Sequence, residues 1–285
     1  MSDDDSGTIH ERGDRVRGRG WVFWVVAVLI TLASATWQRL SGPTHPVRGS
    51  ITLGEERFGL RLPRTHGGAG DLNVRVRLVD RDVSGEVAWR RFPTQEPWAT
   101  IPLVREGDDL SAALPHQPPA GKIEYQVRLH KGSASATFPP RPAVARFKGG
   151  VPIWVLLPHV LAMFGAMLFS NRAGLEALRR GGDPRRAAWI GFVILLFGGF
   201  ILGPIVQKLA FGAYWTGLPY GHDLTDNKTL IAAVAWAWAV FRMRGGRSGR
   251  GAIVFAAIVT LVIFAIPHST WGSQLKWEDA GAIAR

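Results

Sequence analysis

Residues 21–37, Trp21-Val22-Phe23-Trp24-Val25-Val26-Ala27-Val28-Leu29-Ile30-Thr31-Leu32-Ala33-Ser34-Ala35-Thr36-Trp37, form an apolar run preceded by Arg12, Arg15, Arg17 and Arg19. The run approaches the roughly 20 residues that a helix needs to cross a bilayer. Four more apolar runs follow, at Val151 to Ser170, Trp189 to Val206, Thr229 to Phe241 and Ala252 to Pro267. The connections between them alternate between Arg-rich and Arg-poor. Arg172, Arg179, Arg180, Arg185 and Arg186 separate the second and third runs, and Arg242, Arg244, Arg247 and Arg250 separate the fourth and fifth. Cytoplasmic loops carry an excess of Arg and Lys. The pattern therefore predicts an integral membrane protein of about five transmembrane helices, with its amino terminus inside and its carboxy terminus outside.

The same pattern accounts for the charge. The chain has 285 residues, 47% of them hydrophobic, and a net charge of +12. In a soluble protein such a charge points to nucleic acid. Here the Arg residues cluster beside apolar runs, so nucleic acid is not an expected partner and the lipid bilayer is. The chain has no cysteine. That excludes disulfides, thiolate zinc, thiolate-held iron–sulfur clusters and thioether-attached haem.

The domain reading follows. Residues 1–20, opened by Asp3, Asp4 and Asp5, have no apolar period and read as a disordered cytoplasmic tail. Residues 21–38 read as a signal anchor, although Ala33-Ser34-Ala35 also fits a small-residue cleavage site. Residues 39–148 change to an alternating period: Phe58, Leu60, Leu62; Val74, Val76, Leu78; Leu110, Ala112, Leu114; Ile123, Tyr125, Val127, Leu129. Short alternating strands divided by Gly, Pro and Asp predict an inserted all-β antiparallel sandwich, with Trp89, Leu110, Ile123, Tyr125 and Val127 in its core. Residues 151–268 form the remaining four-helix membrane domain, and 269–285 an extracytoplasmic tail. The expected location is a bacterial cytoplasmic (inner) membrane, with the β domain on the periplasmic side.

Within the β stretch, Trp98 opens a strand. Then come Ile101-Pro102-Leu103, Arg105-Glu106-Gly107-Asp108, Leu110, Leu114-Pro115, Pro118 and Gly121-Lys122-Ile123-Glu124-Tyr125 with Val127. This resembles the fibronectin type III and immunoglobulin-like modules of bacterial extracytoplasmic proteins, over a little more than a third of the chain. The resemblance implies a spacer or binding module rather than a catalyst. It lacks the immunoglobulin-type cysteine pair.

Chemistry concentrates on the outer side. Three of the eight His residues, His159, His222 and His268, belong to the membrane part, and the topology delivers all three outward. Pro158 precedes His159 and is expected to kink or restart its helix. Met163 and Met167 follow His159 by one and two turns on the same helix face. A His and Met set of this kind fits haem iron or copper, with His159, Met163, His222 and His268 as the ligands. The other reading is a structural polar cluster. The loop Tyr220-Gly221-His222-Asp223-Leu224-Thr225-Asp226-Asn227-Lys228 adds Asp223 and Asp226 as oxygen donors. Asp226 also reads as a helix N-cap, with Lys228 snorkelling to the surface. Tyr214 and Trp215 read as an interfacial aromatic belt or as a lipid or quinone headgroup site. No phosphate-binding Gly-rich loop, His-Glu-x-x-His or Gly-x-Ser-x-Gly occurs, and no catalytic residue is assigned. Two functions remain: a membrane binding or assembly protein that engages another membrane protein complex, or a membrane redox or metal protein.

Overall fold

The computed structural model describes residues 20–267 together with Leu275 and Trp277. Two compact units divide the chain. One gathers residues 1–38, 154–203 and 225–267; the other gathers 39–153, 204–224 and 268–285. The 1–20 tail up to residue 19, His268 and most of 269–285 lie outside the described residues.

The second unit is built on ten strands. β1 (Val47–Leu53) and β2 (Glu56–Leu62) form a hairpin around Gly54, whose φ of +62° suits the tight reversal. A five-stranded sheet orders β3 (Thr65–Gly67), β10 (Ala134–Lys148), β9 (Lys122–Lys131), β5 (Val83–Arg91) and β6 (Ala99–Pro102). A three-stranded sheet orders β4 (Leu72–Arg77), β8 (Asp109–Leu114) and β7 (Val104–Glu106). All strand pairs are antiparallel except β10 with β3. The register of β10 against β9 shifts between Phe138 and Ala143, where Pro139, Pro140 and Pro142 lack the N–H that a ladder needs.

All three sheets feed one apolar core. Leu72, Val74 and Val76 point into it from β4 while Asn73, Arg75 and Arg77 point out, the two-residue period of a half-buried strand. Leu110, Ile123, Tyr125 and Val127 are buried as expected. Trp89 differs: it shares the face of Tyr125, its register partner, but near the end of β5 it is only half buried and packs at the margin of the core. The Tyr125 hydroxyl donates to the Pro63 carbonyl at 2.6 Å, which satisfies the one polar atom that this side chain carries inward. Burial pushes the phenol's pKa up. Arg105 donates to the carbonyls of Leu78, Asp80 and Val83 at 2.8–2.9 Å and so pins the turn before β5.

The first unit is helical. It holds α1 (Gly20–Ser41), α2 (Ile153–Leu178), α3 (Arg185–Leu196), α5 (Leu224–Arg242) and α6 (Arg250–Ala265). A π turn, Phe197–Leu202, continues α3 directly into α4 (Gly203–Phe211). Three segments, Gly20–Ser41, Ile153–Leu178 and Arg185–Phe211, are long and apolar enough to cross a membrane, with mean hydropathies of 1.8, 1.9 and 2.3. α6 is apolar but has 16 residues. α5 starts with Asp226 and Lys228 in its first turns, which lowers its apolar character.

The burial pattern of these helices inverts that of a soluble bundle. Leu32, Leu161, Val193, Val234 and Ile258 face outward, while Thr31, Ser34, Ser170, Asn171 and Thr260 are buried. Thr31, Asn171 and Thr260 bond across helices. Asn171 donates to Thr31 Oγ1 at 3.0 Å, and Trp236 Nε1 donates to Thr260 Oγ1 at 2.9 Å. Small residues permit the close approaches: a Cβ on Gly174 would stand 2.7 Å from that of Ala257.

Two expectations about these helices change. Pro158 lies inside the unbroken α2, so the helix does not restart at His159. Asp226 is the third residue of α5, not its N-cap; Asp223 occupies the position before the first helical residue.

Candidate functional site

Two regions hold chemistry-bearing side chains in defined geometry. The first is a groove of about 430 Å³ on the β domain. Its walls come from β2 and β4, through Arg61, Arg75, Arg77 and Asn73, with Asp109 of β8 at one side. The outward alternation of β4 delivers Arg75 and Arg77 to the same face. Arg75 Nε stands 3.8 Å from Asp109, and its side chain is 61% exposed, so most of its charge remains toward solvent. Gly59 of β2 also lines the groove, and a Cβ there would meet nothing within 4 Å. Among the described residues, β2 pairs only with β1, and β4 only with β8. Both walls are therefore sheet-edge strands, whose outward N–H and C=O groups are not used in a ladder.

The second region is the π turn and the helix facing it. Gly198 O accepts the backbone N–H of Gly203, the five-residue reach of a π turn. His159 Nδ1 also bonds Gly198 O, at 3.0 Å. Because a carbonyl only accepts, Nδ1 carries a proton and donates it. Met163 lies beside the same turn, with its sulfur 3.1 Å from where a Cβ on Gly198 would stand. Met167, one turn further, is buried in the helical core. The Gly198-Gly199 pair removes side chains where Ala162 and Thr229 press in. Pi turns occur frequently at functional sites.

The remaining expected site residues are placed as follows. Among the described residues, no group of three or more His, Asp or Glu is arranged to hold a metal ion. His268 is not among those residues. His222 is exposed on the loop before α5. Asp223 is buried and accepts from Thr216 Oγ1 at 3.2 Å, which accepts in turn from Gln207 at 2.7 Å. Asp226 is buried in the first turn of α5. Lys228 does not snorkel: it is 1% exposed, and its ammonium donates to Ile266 O, at the end of α6, at 2.7 Å. Tyr214 is exposed, with Lys208 Nζ 5.5 Å from its ring centre, and Trp215 Nε1 donates to Leu218 O at 3.0 Å.

Sequence reasoning passed over Arg146. It is buried in β10, its guanidinium 4.1 Å from the Phe211 ring centre at the end of α4. Burial lowers its pKa, and the nearby Asp223 carboxylate opposes that effect. Lys122, its register partner, is also lowered, chiefly by burial and then by the Arg146 charge. The strand period gave no signal: Ala143, Ala145 and Phe147 face the core, so alternation puts Arg146 on the opposite face, where it is nonetheless buried.

The class that emerges is a protein with, among the described residues, three helices long and apolar enough to cross a membrane and a β domain of several sheets. No family model, curated protein or solved structure matches the chain.

Proposed function

We propose that this is an integral membrane binding or assembly protein of the bacterial cytoplasmic membrane. It presents an immunoglobulin-like β-sandwich on the outer side and engages an acidic, extended segment of another membrane protein complex. The observation that carries this reading is the groove between two edge strands lined by Arg61, Arg75 and Arg77. An extended peptide adds to a sheet edge through its main chain, and side chains beside that edge choose its sequence. Three guanidiniums select carboxylates. In the full-length protein, a fluorescent ten-residue peptide alternating Asp and Thr should bind in a salt-dependent manner. The double variant R61Q/R75Q should weaken it at least about tenfold, because each charge-assisted contact contributes about 1.5 kcal/mol or more. Peptide affinity unchanged by salt and by the variant removes the reading; preferential binding of an acidic polysaccharide reassigns the groove.

The membrane reading places five helices across the bilayer, with α5 and α6 as short spans that thin it locally. Several contacts support one orientation. Gly149 N–H bonds Ala210 O at 2.9 Å, so the end of α4 lies with the β domain. Trp277 Nε1 donates to Phe92 O at 3.1 Å and Leu275 N–H to Ala120 O at 3.3 Å, so these two residues lie there too. The Arg-rich connections, in contrast, are tied to each other, through Arg185 to the carbonyls of Gly246 and Arg247 and through Arg250 to those of Ala177 and Gly182. Reporter fusions within Gly245 to Gly251 should be cytoplasmic and fusions after Ser273 external; the same side for both refutes the five-span orientation.

The geometry of His159 favours a second reading, a haem or copper protein. A metal-binding imidazole usually donates its other N–H to a carbonyl, as His159 does to Gly198. On this reading His159 and Met163 supply ligands. Detergent-purified protein would then show a Soret band or stoichiometric copper, lost in H159A. A featureless spectrum with no bound metal leaves His159 as a structural donor to the π turn.

A further inference from the structure

A second cavity, of about 400 Å³, opens at the Arg-rich end of the helical unit. The start of α1, the end of α2 and the start of α3 meet there. Trp24, Phe169 and Ile190 give it an apolar wall, and Arg172, Arg186 and Asp183 give it a polar rim. Trp24 and Phe169 stand edge to face with ring centres 5.4 Å apart. The Arg172 guanidinium lies 5.4 Å from the Trp24 ring centre and 5.8 Å from that of Phe23.

The charges around this cavity do not cancel. Glu176 is the carboxylate shared by Arg172 and Arg179. Asp183 accepts the Arg185 backbone N–H at 3.1 Å, at the head of α3. Among the described residues, five guanidiniums, those of Arg172, Arg179, Arg185, Arg186 and Arg250, thus stand at this end of the unit with two carboxylates, Glu176 and Asp183. Arg185 and Arg250 are committed to backbone carbonyls. Arg172 Nε is buried and has no hydrogen-bond partner among the described residues, which is a costly state for a charged donor. Arg186 is exposed at the mouth.

We infer that this cavity binds an anionic phospholipid, with the phosphodiester between Arg172 and Arg186 and an acyl chain against Trp24, Phe169 and Ile190. A phosphodiester is an anion that suits a net positive cluster, and its oxygens accept from guanidinium donors. The aromatic wall selects lipid over free phosphate, because inorganic phosphate would leave that wall wet. Basic pockets between helices on the cytoplasmic side take such headgroups. The inference rests on the helices crossing a bilayer and is independent of what the β domain binds.

The test uses the full chain. Native mass spectrometry of protein reconstituted in phosphatidylcholine containing phosphatidylglycerol should show one retained phosphatidylglycerol per protein. R186Q should reduce that retention about fivefold, since one basic residue near the surface contributes about 1 kcal/mol. R180Q, an exposed neighbour outside the cavity, should change it less than about twofold. Millimolar inorganic phosphate should not compete. Equal losses in R186Q and R180Q would mean diffuse attraction and overturn the site. Equal retention of phosphatidylcholine, or displacement by inorganic phosphate, would overturn the lipid assignment without any variant. Reporter fusions that deny a membrane topology would remove the underlying reading instead, a result distinct from loss of lipid selectivity.

Discussion

Ile123→Ala is expected to destabilise the β domain by about 2–5 kcal/mol, the range for truncating a large apolar side chain in a packed core. Ile123 is fully buried on β9, which lies between β10 and β5 in the five-stranded sheet. Neighbouring strands cover both edges, so the sheet has little freedom to collapse into the void. Residues 39–148 expressed alone should give a β-type far-UV spectrum and one cooperative melt. The Ile123→Ala form should melt at least about 10 °C lower, given the entropy of unfolding for a domain of this size. Val79→Ala is the control: Val79 is 69% exposed, and its loss should fall within about 0.5 kcal/mol. A helical spectrum, no transition, or equal shifts for both variants would show that the proposed sandwich is not autonomous.

Replacing Arg146 by methionine is expected to lower the stability of the full-length protein by about 3 kcal/mol or more, the scale for removing one member of a buried charged set. Methionine keeps much of the volume and the apolar contact with Phe211. It removes the positive charge whose field the buried Asp223 carboxylate experiences. The loss should therefore be coupled. In R146M/D223N the residue at 223 is neutral, so the double variant should recover part of the stability lost in R146M. Thermal unfolding in detergent measures the loss, and proteolysis within residues 212–223 reports release of the loop. Strict additivity of the two substitutions, or an R146M melt equal to wild type, would show that Arg146 acts through packing alone.

Much of the architecture is legible because it depends on period. The β4 alternation, Leu72, Val74 and Val76 against Asn73, Arg75 and Arg77, reads directly as one buried and one solvated face, and the structure keeps it. The apolar runs of α1, α2 and α3 to α4 are equally direct, because length and hydropathy are local properties. The start of α5 is less direct. Asp226 follows Thr225 in a polar loop and has the chemistry of a cap, but the helix begins two residues earlier, at Leu224. Helix ends depend on which backbone groups find partners, and neighbours along the chain do not decide that alone.

The sequence by itself determined the class of each segment: apolar helices, an alternating β stretch and Arg-rich connections, each fixed by side-chain chemistry over a few turns or strands. Only the tertiary structure decided where the polar groups went. Lys228 reads as a surface lysine, yet it is buried and donates to Ile266, 38 residues away in the chain. Arg61 and Arg75 come from separate strands and meet at one groove only because β2 and β4 come side by side. His159 finds its acceptor in Gly198 because that glycine lets α2 approach a widened turn. The physical reason is common to all three. Hydrophobic periodicity follows the local repeat of the backbone, whereas hydrogen bonds and cavities depend on atoms that folding brings together from distant positions.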